Sequence, residues 1–177
     1  MKIELDPIQE ISGAKLIKSQ NFRDGRGKFS RLFCSENLGN EFKHLKQINY
    51  VTNNQKGLVR GMHYQRKPGK ETKIVYCLGG TILDVIIDIR EKSSTFGNQY
   101  SIELNAKEDL AILIPPGVAH GYQTLSDCAE LLYLHSSSYD PKLDAGIHWN
   151  NNITSVNWPH KISLISQKDK SLPKELS

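Results

Sequence analysis

The chain is 177 residues long and 38% apolar, which is enough for one domain with a real core and polar arms around it. Its formal net charge of +4 suits an anionic small molecule, and without a basic run it makes no nucleic-acid surface. No apolar stretch reaches the roughly 20 residues of a membrane span, so neither nucleic acid nor membrane is expected as a partner. Cys34, Cys77 and Cys128 are odd in number and widely spaced, which argues against a disulfide framework or a zinc knuckle. The opening MKIELDPIQE is charged where a signal peptide needs an apolar stretch, and the expected location is the cytoplasm.

The pattern is β almost throughout, in runs of about five to ten residues. Residues 15–22 and 26–34 read as an opening hairpin across Arg23-Asp24-Gly25. SENLGNEFK reads as a short helix with Ser35 as its N-cap. Strands follow at about 45–53 and 57–65, with Asn-Asn-Gln-Lys-Gly as the turn. KIVYCLGGTILDVIIDIR reads as two strands about Gly79-Gly80. In the second, Leu83, Val85, Ile87 and Ile89 share one face, and Asp84 and Asp88 the other. Further strands are expected at about 98–105, 109–115, 119–125 and 129–136. After Tyr139 the pattern weakens into an arm carrying Trp149, Trp158 and Lys168-Asp169. Nothing repeats and no low-complexity linker divides the chain, so residues 1–177 are expected to form one domain, with a barrel over about 45–139 and a C-terminal arm over about 140–177. Many short strands at this spacing predict an all-β sandwich or barrel.

The stretch QINYVTNNQKGLVRGMHYQ, from Gln47 to Gln65, concentrates side chains with little structural purpose: Gln47, Asn49, Arg60, His63 and Gln65. Gln47, Asn49 and Val51 share a parity and so one face of a strand. Arg60 and His63 have opposite parity, and a flat strand would part them. Gly61 between them predicts a bulge that re-aims its neighbours. An arginine and a histidine brought together beside amides make a polar pocket for an anionic ligand with a proton to move.

Gly57, followed by His63 after five residues, and the later Pro115-x-Gly117-x-x-His120 resemble the two halves of the cupin superfamily, a small jelly-roll barrel. Metal-binding cupins carry His-x-His and then a glutamate in the first half. Here Gln65 stands at the second histidine position, and Glu71 comes later than the pattern wants. Two imidazoles fall short of the three protein ligands of a catalytic metal site, so neither metal nor cofactor is expected, and the histidines are assigned to protons.

A more specific resemblance runs from about Asn21 to Pro173. NFRDGRGKFSRLF, QINYVTNNQKGLVRGMHYQ, KIVYCLGGTILDVIIDIR, SSTFG, IPPGVAHGYQTLSD, LLYLHSSSYDP, HWNNNITSVNWP and SQKD are similar, in order and spacing, to the blocks of the dTDP-4-dehydrorhamnose 3,5-epimerase family. The resemblance implies a metal-free jelly-roll homodimer that exchanges its N-terminal strands, about 1–34, and acts on a nucleoside-diphosphate 4-keto-6-deoxy sugar for deoxysugar and polysaccharide biosynthesis. Inverting a carbon beside a ketone needs a base, an electrophile for the enolate oxygen, and an acid on the far side. The resemblance makes His63 the base, with Asp169 of Ser-x-x-Asp fixing its tautomer. Asp84 is a second carboxylate candidate, with a structural salt bridge as the alternative. Tyr133 matches the family's acid, against the alternative of a core tyrosine. Lys73 matches the lysine beside the sugar carbonyl, against a solvated lysine at a strand start. His120 is expected to face the same cavity as a donor to the sugar or enolate.

Arg60 suits a pyrophosphate, because its planar fork of donors matches phosphate oxygens. By the same resemblance, Arg26 and Phe29 reach the nucleotide from the neighbouring subunit and Tyr139 packs on the base; Gln47 and Asn49 are expected to supply amide contacts, and Lys168 is a further phosphate candidate. Two positions depart from the family pattern. Arg31 stands where a glutamate usually follows Arg-Gly-x-Phe, which implies either a differently read base or a nucleotide other than thymidine. Asn151 replaces an aspartate in the Trp149-Asn150-Asn151 block. The rival readings are an epimerase acting at C3 or C5 only, a silent sugar-nucleotide binding module, and a metal-dependent cupin such as a dioxygenase. The intact His63, Asp169 and Tyr133 speak against the second, and Gln65 and Glu71 against the third.

Overall fold

The computed structural model describes residues 2–153 and 155–175. Two sheets pack face to face as a jelly roll. One has the order β1 (Ile3–Pro7), β2 (Lys15–Ser19), β10 (Leu110–Ile114), β7 (Lys73–Gly79), β12 (Ala129–His135), β5 (Gln47–Asn53). The other has the order β13 (Asp144–Gly146), β6 (Val59–Gln65), β11 (Val118–Thr124), β8 (Thr81–Asp88), β9 (Gln99–Asn105). Val75, Cys77, Ile112 and Leu131 of the first sheet meet Ile82, Ile86, Leu104 and Val118 of the second in the barrel interior. The expected all-β jelly roll is therefore the fold, and the strands expected from residue 45 to 136 are all present.

Both sheets are also covered from outside, which is why several strands read as apolar runs rather than alternations. Leu38 and Phe42 pack on the outer face of the first sheet against Ile74, Tyr76 and Leu134. Each is fully buried, contributing about 1.5–3 kcal/mol. Ile147, Val156, Ile153 and Trp158 of the C-terminal arm cover Val85, Ile87 and Ala119 of the second.

Several expectations need correcting. The strand expected at 15–22 divides. β2 pairs with β1 and β10, while the hairpin is β3 (Asn21–Asp24) with β4 (Gly27–Ser30), turning at Gly25-Arg26 rather than Arg23-Asp24-Gly25. The carboxylate of Asp109 draws the hairpin together, accepting from Lys28 Nζ at 2.7 Å, from Ser30 Oγ at 2.9 Å and from the Asn21 amide. β1 escaped the sequence reading because only Ile3 of its residues is buried. β1 and β2 pair within the first sheet, and among the described strands the β3–β4 hairpin joins neither large sheet. The helix is a single turn, α1 (Ser35–Leu38), running into a 3-10 turn at Gly39–Phe42; Cys34, not Ser35, is its N-cap, and no side chain caps it. Gly79-Gly80 does not close a hairpin. β7 and β8 lie in different sheets, so the turn crosses the barrel. The arm also carries structure that its weak pattern does not announce: β13 pairs with β6, and a short helix α2 spans Gln167–Lys170.

The bulge expected at Gly61 is present. His63 faces His120 and Arg60 faces Tyr122, so Gly61 and Met62 together oppose the single residue Gly121. The extra residue rephases β6, and both Arg60 and His63 reach the cavity. A Cβ on Gly61 would stand 2.5 Å from Gly121 Cα, and its φ is +119°. Gly61→Ala should therefore destabilise the fold by at least about 1–3 kcal/mol, read as a lower denaturant midpoint. An unchanged midpoint would show that the two strands can part at no cost.

Candidate active site

A cavity of about 510 Å³ opens between the sheets. The second sheet contributes Arg60, His63, His120 and Tyr122, the first contributes Asn49, Lys73, Tyr133 and His135, and the arm closes one side with Leu164 to Asp169. Three imidazole–carboxylate pairs are built around it.

The first pair joins β6 to the arm. His63 Nε2 lies 3.0 Å from Asp169 Oδ1, with the imidazole 31% exposed and the carboxylate 6%. Asp169 is held from several sides. Its Oδ2 accepts from the Gly61 N–H at 3.2 Å, and its own N–H donates to Ser166 Oγ, the N-cap of α2. Burial pushes the Asp169 carboxyl up, but the hydrogen bond and charge of His63 and the Gly61 N–H outweigh it, and its pKa lies below the ordinary value. The contact expected between His63 and Asp169 thus exists.

The second pair is fully enclosed: His120 Nε2 and Asp84 Oδ2 are 2.8 Å apart, and 5% and 0% exposed. The Tyr133 ring stands edge-on to His120, centroids 5.9 Å apart at 67°. Burial, then Tyr122 and the Asp84 carboxylate, push the Tyr133 phenol well above its usual value, so the hydroxyl keeps its proton at neutral pH. Tyr122 Oη donates to Asn53 Oδ1 at 3.0 Å, and the same oxygen accepts from Arg60 Nε at 3.1 Å. The guanidinium is thereby aimed while its outer edge stays open.

The third pair was not anticipated. Glu71 Oε1 takes His135 Nδ1 at 2.8 Å, and its Oε2 takes Lys73 Nζ at 3.2 Å. Lys73 is buried at 8% exposure, which removes the alternative of a solvated strand-start lysine. Burial pushes Glu71 up, but the His135 hydrogen bond and the Lys73 charge prevail and hold it at about 2. The signal was present in the sequence: Glu71 and Lys73 share a parity, as do Tyr133 and His135, and β7 and β12 set His135 opposite Lys73. What it lacked was the pairing of the strands.

The polar rim follows. Gln47 and Asn49 are hydrogen bonded to each other, the Tyr139 N–H donates to Gln47, and Lys168 and the Tyr139 hydroxyl meet on Asp144. Arg26 and Phe29 are not brought into this cavity. They lie in a separate exposed hollow on the β3–β4 hairpin, where Arg26 pairs with Asp24 at 2.6 Å. Arg31 follows that hairpin and is likewise outside the cavity lining. Among the described residues, no three His, Cys, Asp or Glu side chains are grouped to hold a metal ion.

Residues 8–175 match the sequence model of the dTDP-4-dehydrorhamnose 3,5-epimerase family. The chain belongs to that family. It is 35% identical over 168 residues to dTDP-4-dehydrorhamnose 3,5-epimerase of Shigella flexneri, covering 90% of each chain. Its fold matches dTDP-4-dehydrorhamnose 3,5-epimerase of Sulfolobus tokodaii with a TM-score of 0.89 at 36% identity, over 98% of this chain and 95% of that one. It also matches dTDP-6-deoxy-D-glucose-3,5-epimerase of Legionella pneumophila, solved in complex with dTDP-4-keto-L-rhamnose, with a TM-score of 0.87 at 29% identity, over 99% and 100% of the two chains. The protein is a carbohydrate epimerase, an isomerase by class.

The Glu71 carboxyl has a testable consequence. A depressed carboxyl stabilises the fold above its unfolded value and loses that stabilisation as pH falls through its folded value. Glu71→Gln should therefore flatten the loss of stability between pH 4.5 and about 2, the window set by its shift. It should also lower stability at neutral pH, where Lys73 is left without its carboxylate. Unfolding free energies measured across this range check both, and an acid limb of unchanged slope would remove Glu71 from the stability of the fold.

Proposed function

We propose that this epimerase inverts C3 and C5 of dTDP-4-dehydro-6-deoxyglucose, with His63 as base and Tyr133 as acid. The supporting observation is that the two stand on facing walls of one cavity, His63 on β6 and Tyr133 on β12. Asp169 on one imidazole nitrogen leaves the other to take the proton from the carbon beside the ketone, and steadies the imidazolium that results. The C–H electron pair moves to O4 as an enolate, for which Lys73 and His120 are the donors at hand. When that pair returns to carbon, the Tyr133 phenol supplies a proton from the opposite face. The ligand in the related Legionella pneumophila complex, dTDP-4-keto-L-rhamnose, supports both the nucleotide and the sugar.

In this reading Arg60 takes the diphosphate, Gln47, Asn49 and Lys168 add polar contacts, and Tyr139 packs on the base. A homodimer belongs to the proposal as well. The β3–β4 hairpin pairs only with itself, its Phe22 and Phe29 are about two-thirds exposed, and it presents Arg26 where a second subunit's nucleotide could meet it. A cytoplasmic location fits the three free cysteines; among the described residues, no helix is long and apolar enough to cross a membrane.

Proton NMR in deuterated water with dTDP-4-dehydro-6-deoxyglucose tests the chemistry. Deuterium should enter C3 and C5 with inversion at both. His63→Ala should lower exchange at both carbons by at least ~100-fold while leaving ligand affinity largely intact. Tyr133→Phe should slow inversion more than exchange, because the enolate still forms. Exchange retained without His63 would reject it as the base, and equal loss of both rates in Tyr133→Phe would reject Tyr133 as the acid.

A further inference from the structure

Hydrogen-bond direction along the first sheet can be traced from one group whose role is not open to choice. A backbone N–H only donates, and that of Tyr139 donates to Gln47 Oε1 at 2.9 Å. With its oxygen so engaged, Gln47 turns its NH2 to Asn49, whose Oδ1 accepts at 3.1 Å. Asn49 then directs its own NH2 at His135 Nε2, 3.3 Å away. A ring nitrogen facing an amide NH2 is the bare, accepting one. The His135 proton therefore sits on Nδ1 and is donated to Glu71 Oε1 at 2.8 Å. Glu71 Oε2 closes the run on the Lys73 ammonium at 3.2 Å. No member can reverse alone, because each reversal passes back to the backbone of Tyr139.

We propose that His135 and Glu71 are positioning residues that hold Lys73 at the sugar end of the cavity, with His135 kept neutral by the relay from Tyr139 through Gln47 and Asn49. A neutral His135 leaves the whole charge of Glu71 to Lys73. The pair stays balanced, and the ammonium keeps N–H groups for the substrate. A protonated His135 would compete for the same carboxylate and loosen the lysine. His135 also lies parallel to the Tyr133 ring, at 10° with centroids 5.9 Å apart, so one residue supports both sides of this wall. Gln47 and Asn49 each commit one N–H to the relay and keep one. A ligand gripping them at the rim thus acts, through the same bonds, on the lysine at the far end.

The inference rests on the epimerase reading only for its kinetic test. Long-range proton–nitrogen NMR of the substrate-free protein should show His135 with a protonated Nδ1 and a bare Nε2. A ring protonated at Nε2, alone or together with Nδ1, would overturn the relay whatever the enzyme does. In turnover of dTDP-4-dehydro-6-deoxyglucose, His135→Phe keeps a ring beside Tyr133 but no polar atom, whereas His135→Asn places an amide donor near the position of Nδ1. The phenylalanine variant should lose at least ~10-fold in kcat with KM little changed, as expected for a misplaced catalytic group, and the asparagine variant should recover most of that loss. The opposite ranking would make His135 a packing residue and end the proposal. A wild-type protein that turns over none of this substrate would reject the reading of function, while the tautomer would still decide the relay.

Discussion

The site is arranged around two glycine backbones in contact. Gly61 of β6 and Gly121 of β11 approach so closely that a side-chain carbon on either would meet main-chain atoms of the other strand within about 2.8 Å. That approach admits the extra residue in β6, and the extra residue decides which way the rest of the strand points. Arg60 and His63 then face the same cavity, His63 stands opposite His120, and the Gly61 N–H is turned towards Asp169. One steric condition therefore orients the imidazole and helps fix the carboxylate that holds it.

Around the cavity, the same chemical pair is used three times with different surroundings. His63–Asp169 is the one whose imidazole is substantially exposed; His120–Asp84 is sealed in the barrel, and His135–Glu71 is buried and shared with a lysine. A proton can come and go only where a ligand or water can reach, which suits the first pair to transfer and the others to holding hydrogen bonds in a set direction. The high pKa of Tyr133, caused first by burial, keeps its phenol loaded on the facing wall.

Much of this was legible in the sequence, because strand parity and turn residues act locally. The strands between residues 45 and 136, the bulge at Gly61, and the facing of Gln47 and Asn49 followed from period-two patterning and one glycine. Where reading failed, the deciding contact lay far along the chain. Asp109, some 80 positions away, selects residues 21–30 for the hairpin. The Gly79-Gly80 turn looks like any hairpin turn until the sheets are assembled. Glu71 and His135 are 64 positions apart and meet only because β7 lies beside β12. Apolar residues that line outer faces, such as Val85 and Ile87, announce burial but not that the arm provides the cover.

The arm's short helix also bears on how the cavity is closed. Asp169 comes from α2, beyond the last strand in sequence, and the chain leading to it is fastened to the barrel where Leu164 bridges to Leu58 and the Ser163 N–H donates to the Gly57 carbonyl. A chain cut before Ser166 would keep every strand of both sheets, yet it would lose Ser166, Lys168 and Asp169 from the cavity lining and leave His63 without its carboxylate partner. The pairing of His63 thus depends on the docking of residues that belong to neither sheet.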